Sequence, residues 1–275
     1  MSRNSVKRVV NAIQKFYPIS LADKTWDNTG LLLDASYEDS SEVSTTPIKV
    51  LLTIDLTQSV ADEAVSKKAN VIMAYHPFIF RGLKSITTVD PQQRSLIKLI
   101  QNNISVYSPH TAVDSARGGV NDFLVEGITN GAKVESSLPI EQDANESECG
   151  MGRLVTLGES KTLAELVKNA KASLGLKYVQ VVQSSSDQAI KTIAVCAGSG
   201  GGVFKGVRAD LYYTGELSHH EALYFKESGS SVICCNHSNT ERAFLKVMKQ
   251  QLQEELGDSA EIVISETDKD PFENW

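Results

Sequence analysis

His237 and Glu241 lie four residues apart, behind the run Ser231-Val232-Ile233-Cys234-Cys235-Asn236. The β-formers stop at Asn236 and helix-forming residues resume at Thr240 and run through Leu245 and Met248, which predicts strand, tight turn and helix. With the turn already wound at His237, this spacing puts an imidazole and a carboxylate on one face, able to grip one divalent cation. A structural reading competes, because Ser238-x-x-Glu241 is also a capping box in which Glu241 reaches back to a free backbone N–H. Ligands arriving from other strand ends would decide between the two. His76 ends one apolar run, and His110 with Asp114 follows another, at the carboxyl strand ends where open α/β sheets place their ligands. Glu216 stands four residues before His220, but Ser218-x-x-Glu221 starts a helix at Ser218 and leaves Glu216 outside it. Adjacent helical residues diverge by about 100°, so of His219 and His220 one is expected to line a pocket and the other to face solvent or an interface.

The elements that would position these groups follow a βαβ rhythm. An amphipathic helix carries Val6, Val9, Val10, Ile13 and Phe16 at helical spacing and ends before Pro18. Trp26-Asp27-Asn28-Thr29-Gly30 leads into the strand Leu31-Leu32-Leu33; Asp27 and Asn28 could face a site, but a polar turn with Gly30 in a left-handed conformation explains them more simply. An acidic, Ser/Thr-rich stretch from Ser36 to Pro47 predicts an exposed loop. Strands are expected at 49–55, 69–80 and 104–108, with helices after Thr57 and from Pro91 to Asn102 between them, and a mainly parallel sheet results. Residues 135–150 read as an acidic loop at a domain junction. Strands at 153–157, 178–182, 193–197 and 210–215, and a helix at 162–174, make up the second half. Gly198-Ser199-Gly200-Gly201-Gly202 fits neither a P-loop nor a dinucleotide fingerprint, and reads as a strand-to-helix turn. Strand 262–266 closes the first domain. The domains expected are 1–130 with 240–275, and 131–239.

A chain of 275 residues fits two modest α/β cores, and its net charge of −7 argues against an extended nucleic-acid-binding face. Four cysteines without CxxC spacing read as small buried hydrophobes in a reducing compartment. No apolar run approaches the roughly 20 residues that span a bilayer. Arg3, Lys7, Arg8 and Lys15 without an acid in the first 22 residues also suit a mitochondrial presequence, although the amphipathic first helix of the fold explains them better. Cytoplasmic location is the main expectation.

Trp26-Asp27-Asn28-Thr29-Gly30, Tyr75-His76-Pro77-Phe78, Pro109-His110-Thr111 to Asp114, Thr214-Gly215-Glu216 and His237-Ser238-Asn239-Thr240-Glu241-Arg242 occur in this order. With them the chain resembles the GTP cyclohydrolase I type 2 homologue family, also called Ngg-one-interacting factor three-like proteins. The resemblance covers essentially the whole chain, in the short form that lacks an inserted domain. It implies an α/β fold of two interleaved domains with mainly parallel or mixed sheets, a dinuclear divalent-metal site in the cleft between them, and a toroidal homohexamer. By motif, His76 is the second histidine of a His-His-Pro, Asp114 the carboxylate of His-Thr-x-x-Asp, and His237 with Glu241 completes the ligand set. His110 corresponds to a position near the metals. Tyr75 departs from the pattern, standing where the first histidine is usual. A phenol with a pKa near 10 is a poor ligand, so the expected load is one or two ions per chain.

Nitrogen and oxygen donors suit zinc, manganese, iron or cobalt. The expected activity is hydrolysis of a small, nucleotide-like substrate by a metal-activated water, with Asp114 and Glu241 as bridging carboxylates and His110 or Glu216 transferring protons. The alternative, drawn from the family name, is a metal-holding scaffold that binds a transcriptional coactivator component, with a nuclear location.

Overall fold

The computed structural model describes residues 2–36, 47–184 and 189–273, so most of the loop expected at 36–47 lies outside the described residues. The chain divides into two compact units, residues 1–113 with 245–269 and residues 114–244 with 270–275. These boundaries differ from those read off the sequence, and Asp114, His237 and Glu241 all fall in the second unit.

The first unit begins with α1 (Arg3–Phe16), whose Ser2 cap accepts from Ser5 N and whose Val6, Val9 and Ile13 are buried. Strands β1 (Gly30–Leu33) and β2 (Ile48–Thr53), α2 (Gln58–Ser66), β3 (Val71–Ala74), α3 (Pro91–Gln101) and β4 (Ser105–Ser108) follow. Helix α4 (Thr111–Ser115) straddles the boundary. In the second unit come α5 (Val120–Thr129), β5 (Val134–Leu138), β6 (Glu141–Gln142), β7 (Gly150–Met151), β8 (Arg153–Lys161), α6 (Leu163–Leu174), β9 (Gln180–Val182), β10 (Ile190–Ser199), β11 (Leu211–Glu216), α7 (His219–Glu227), β12 (Ser231–Cys234) and α8 (Asn239–Arg242). The chain then returns to the first unit as α9 (Leu245–Leu256) and β13 (Ala260–Ile264).

The first sheet has the order β1-β4-β3-β2-β13, parallel except for β1 against β4. Its middle strand β3 is apolar and buried throughout because neighbours cover both faces, and Leu51, Ile72 and Val106 meet Val60, Leu96 and Leu99 of α2 and α3 in the core. Thr57 and Asp90 cap those helices, accepting from Val60 N and Gln93 N. The strand expected to reach Phe80 ends at Ala74. Two further bonds, Tyr75 N to Thr53 O and His76 N to Ile54 O, prolong the pairing up to Pro77.

The second sheet, in the order β5-β8-β10-β11-β12-β9, is parallel only at its centre, where β10, β11 and β12 run together. Phe204, Tyr212 and Phe225 fill its core, the last two stacked at 3.8 Å. Three expectations are corrected here. Residues 135–150 are a loop only at 143–149: β5 is an edge strand of this sheet, and β6 pairs with β7. The glycine run after β10 leads through turns to β11 and begins no helix. The helix expected from Thr240 onward breaks after Arg242, because Phe244 buries its ring against Phe123 while Leu245, Met248 and Leu252 bury in the other unit. Among the described residues no helix is long and apolar enough to cross a membrane.

Candidate metal centre

Parallel pairing of β2, β3 and β4 brings their carboxyl ends to one edge, and each ends in a group with chemistry: Asp55, His76 and His110. His76 Nδ1 lies 2.9 Å from Asp55 Oδ1, and His110 Nδ1 lies 2.7 Å from Asp27 Oδ1. A carboxylate only accepts, so each Nδ1 carries the proton and Nε2 is the nitrogen with a lone pair for a metal or a proton. The two imidazoles stand 5.4 Å apart, and the buried Tyr75 ring packs edge-on to both. His110 holds a left-handed backbone (φ 36°), unusual for a side chain of this size.

Of the two readings of Asp27, the structure bears out the one that faces a site. Its carboxylate does more than shape a turn: its side chain is fully buried, receiving Thr111 Oγ1 at 2.5 Å and Thr111 N at 3.3 Å besides His110. Burial by itself would raise its pKa, but the hydrogen bonds from His110 and Thr111 and the imidazole's charge outweigh it and hold the carboxyl below its usual range.

The second unit repeats the device. Glu216 ends β11, His237 follows the neighbouring parallel β12, and Glu216 Oε1 accepts from His237 Nδ1 at 2.8 Å. Left-handed Asn236 (φ 69°) turns the chain so that His237 Nε2 comes 3.5 Å from Glu241 Oε1, with Glu241 buried in α8. Two ligands about 2.0–2.1 Å from a tetrahedral ion stand about 3.3–3.4 Å apart, so this His/Glu group fits a metal. The capping-box alternative is not what forms. Ser238 makes no side-chain cap bond; its hydroxyl donates to Asp270 at 2.9 Å and accepts from Arg242 at 3.0 Å.

Glycine is needed beside these ligands. A Cβ on Gly198 (φ 63°) would lie 2.9 Å from His237 Nε2 and 3.1 Å from Glu241 Oε1, so the bare backbone keeps that space open. Gly215 similarly permits the close approach of β11 to the backbone of His237, 2.8 Å from where its Cβ would be.

Other predicted residues are placed less centrally. Asp114 is buried in α4, with Asn121 bonded to its carbonyl, but it does not complete with His237 and Glu241 a group whose ligand atoms all lie within 4.8 Å of one another. Both His219 and His220 are exposed, which corrects the expectation that one lines a pocket. Burial pushes the thiol of Cys234 up to about 11, that of Cys235 up to about 12 and that of Cys196 higher still, so these cysteines are inert apolar residues.

The sequence matches, over residues 4–271, the family described as Duf34/NIF3 (NGG1p interacting factor 3). The chain belongs to the Duf34/NIF3 family. It is 51% identical to NGG1-interacting factor 3 of Saccharomyces cerevisiae, with 99% of this chain and 98% of that protein covered. It is 32% identical to NIF3-like protein 1 of Homo sapiens, over 98% and 92%. Among solved structures, a Bacillus cereus protein related to NIF3 shares the fold at a TM-score of 0.80 and 23% identity, covering 98% of each chain. Reduced HcgD from Methanocaldococcus jannaschii matches at 0.77 and 26%, over 94% and 97%.

Proposed function

We propose that this Duf34/NIF3 protein is a divalent-metal-dependent hydrolase whose cation is held by His76, Asp114, His237 and Glu241, acting on a small, nucleotide-like substrate. The observation that carries the reading is the repeated pairing of a strand-end histidine with a carboxylate on its Nδ1, the arrangement that orients an imidazole toward a metal. The donor set of nitrogen and oxygen suits zinc, manganese, iron or cobalt. When bound, such a cation acidifies a water and polarises an electrophilic carbon or phosphorus centre.

The chain's own residues divide the remaining work. Asp55 and Glu216 fix the tautomers of His76 and His237, so Glu216 is a positioning residue in this reading and gives up the proton-transfer role. His110, held through Nδ1 by Asp27, offers Nε2 to accept and return a proton. On the resemblance to its family, the protein works as a homohexameric ring.

A second reading has its own support in the yeast relative, 51% identical, whose name records an interaction with NGG1. Here the protein is a scaffold that binds a transcriptional coactivator component in the nucleus and holds its metal for structure. One experiment separates the two: metal content and hydrolysis of nucleotides, phosphodiesters and cyclic amides are measured for the native chain and for His76→Ala/Asp114→Ala. The hydrolase reading expects metal and activity to disappear together. Turnover unchanged in the double variant would exclude it, whereas a metal-free variant that keeps partner binding, from a parent with no turnover, would favour the scaffold.

A further inference from the structure

We propose that a cavity lined by the segment that follows His76, wholly within the first unit, binds the base of a nucleotide, with the phosphate on Arg81 and the ring against Phe80 and Trp26. The proposal gives the nucleotide-like substrate of the hydrolase reading a binding place, and rests on that reading only for what becomes of the ligand. The cavity has a volume of about 320 Å³, the low end for small-molecule sites, and lies directly after the candidate ligand His76 in the chain. Phe78 and Leu96 are its buried apolar walls, and Phe80 and Leu83 its half-exposed ones.

The polar lining selects the ligand. Gln92 donates its amide NH2 to Phe78 O, and Gln93 accepts at its amide oxygen from Thr87 N at 2.7 Å. Gln92 is thereby left with an acceptor and Gln93 with a donor, both at the cavity wall. The edge of a heteroaromatic base presents donors and acceptors that either group can meet. The third polar side chain is Arg81, exposed and, among the described residues, without an ion pair; no carboxylate lines the cavity. A guanidinium not already matched to an acid is a two-pronged donor for phosphate.

The aromatic pair adds a ring platform. Trp26 is 52% exposed and Phe80 47%, with ring centroids 6.1 Å apart. The indole is not loose: it hydrogen-bonds the Asp23 carboxylate and meets the His110 ring edge-on at 5.7 Å. Exposed aromatic faces fixed in this way are stacking surfaces for bases. They also connect the cavity to the imidazole assigned to proton transfer.

The test uses the full chain with Trp275→Phe, which leaves Trp26 as the sole tryptophan, in EDTA so that binding is read without turnover. AMP, GMP, adenosine, guanosine and ribose 5-phosphate are titrated against Trp26 fluorescence and by calorimetry. At least one nucleotide should quench saturably, with its parent nucleoside and ribose 5-phosphate at least tenfold weaker. Arg81→Ala should weaken the nucleotide about tenfold and leave the nucleoside unchanged, and Phe80→Ala should weaken both. No saturable binding of either nucleotide, or an affinity indifferent to Arg81→Ala, overturns the proposal. Binding in EDTA by a chain that never shows metal-dependent turnover would keep the cavity assignment and remove only the hydrolase reading.

Discussion

Asp55 holds His76 through Nδ1 at 2.9 Å across 21 residues of chain, and Glu216 holds His237 at 2.8 Å across the same 21. Each pair is built on one βαβ passage, β2-α2-β3 in the first unit and β11-α7-β12 in the second, and Thr57 and Ser218 cap the intervening helices. Parallel neighbours put the acid at the end of one strand beside the histidine that follows the next. Removing the acceptor without changing shape should therefore weaken metal binding alike in both units. For Asp55→Asn and for Glu216→Gln we expect a 10–100-fold loss of affinity by chelator competition, with the melting temperature nearly unchanged. A full-affinity Glu216→Gln protein would show that the carboxylate does not orient His237 toward a cation.

Gly198→Ala tests whether the space beside His237 and Glu241 is used. Its Cβ would intrude on both ligand atoms, and φ of 63° adds backbone strain of about 1 kcal/mol. Metal content should fall several-fold while circular dichroism keeps the native spectrum. Undiminished metal content would mean that the ion sits elsewhere.

The βαβ rhythm, the strand ends and the histidines on them were legible because buried parallel strands are written as uninterrupted apolar runs. The pairing of each acid with its histidine was not. Asp27 and His110 are 83 residues apart, and only the order β1-β4-β3-β2 brings such residues together. Strand β5 was hidden for another reason: four of its five residues are exposed at a sheet edge, so no apolar alternation marks it. The capping box at Ser238 misled because Asp270, 32 residues on, takes the hydroxyl.

Tyr75 stands where the family resemblance implies a histidine, and its ring packs edge-on to His76 and His110 instead. Tyr75→His returns an imidazole to that position. Metal content is expected to rise from about one to about two per chain, read by elemental analysis. A stoichiometry that does not move would show that the phenol is not what limits the load.

Arg153, only 2% exposed, donates to both oxygens of Asp122, at 2.5 and 3.1 Å, and to the carbonyls of Gly150, Gly152 and Ala116. The Ala116 contact ties it to the segment that follows Asp114. Asp122→Ala strands a buried cation and should cost about 3 kcal/mol in urea denaturation. Adding Arg153→Met removes the charge and should recover part of the loss, though the three carbonyls lose their donor. A single substitution costing under about 1 kcal/mol would show that the carbonyls alone suffice.

Glu63 fastens the segment after β13, accepting from Ser265 Oγ at 2.6 Å, Glu266 N at 3.0 Å and Thr267 Oγ1 at 2.8 Å, with Lys67 Nζ at 2.8 Å. Burial opposes its ionisation, but these donors prevail and lower its pKa to about 2. A carboxylate whose folded pKa lies below its unfolded value contributes stability above the unfolded value, and loses it as pH falls toward the folded one. The native chain should therefore lose on the order of 2–3 kcal/mol more than Glu63→Gln between about pH 5 and pH 2, in denaturation titrations at stepped pH. The same segment carries Asp268, which accepts from Ile54 N at 2.9 Å next to Asp55. Glu63→Gln should accordingly weaken metal binding at neutral pH as well, by less than Asp55→Asn, because it loosens the backbone under the acid and leaves the acid in place. Equal pH slopes in the two proteins would remove Glu63 as the origin of the acid sensitivity.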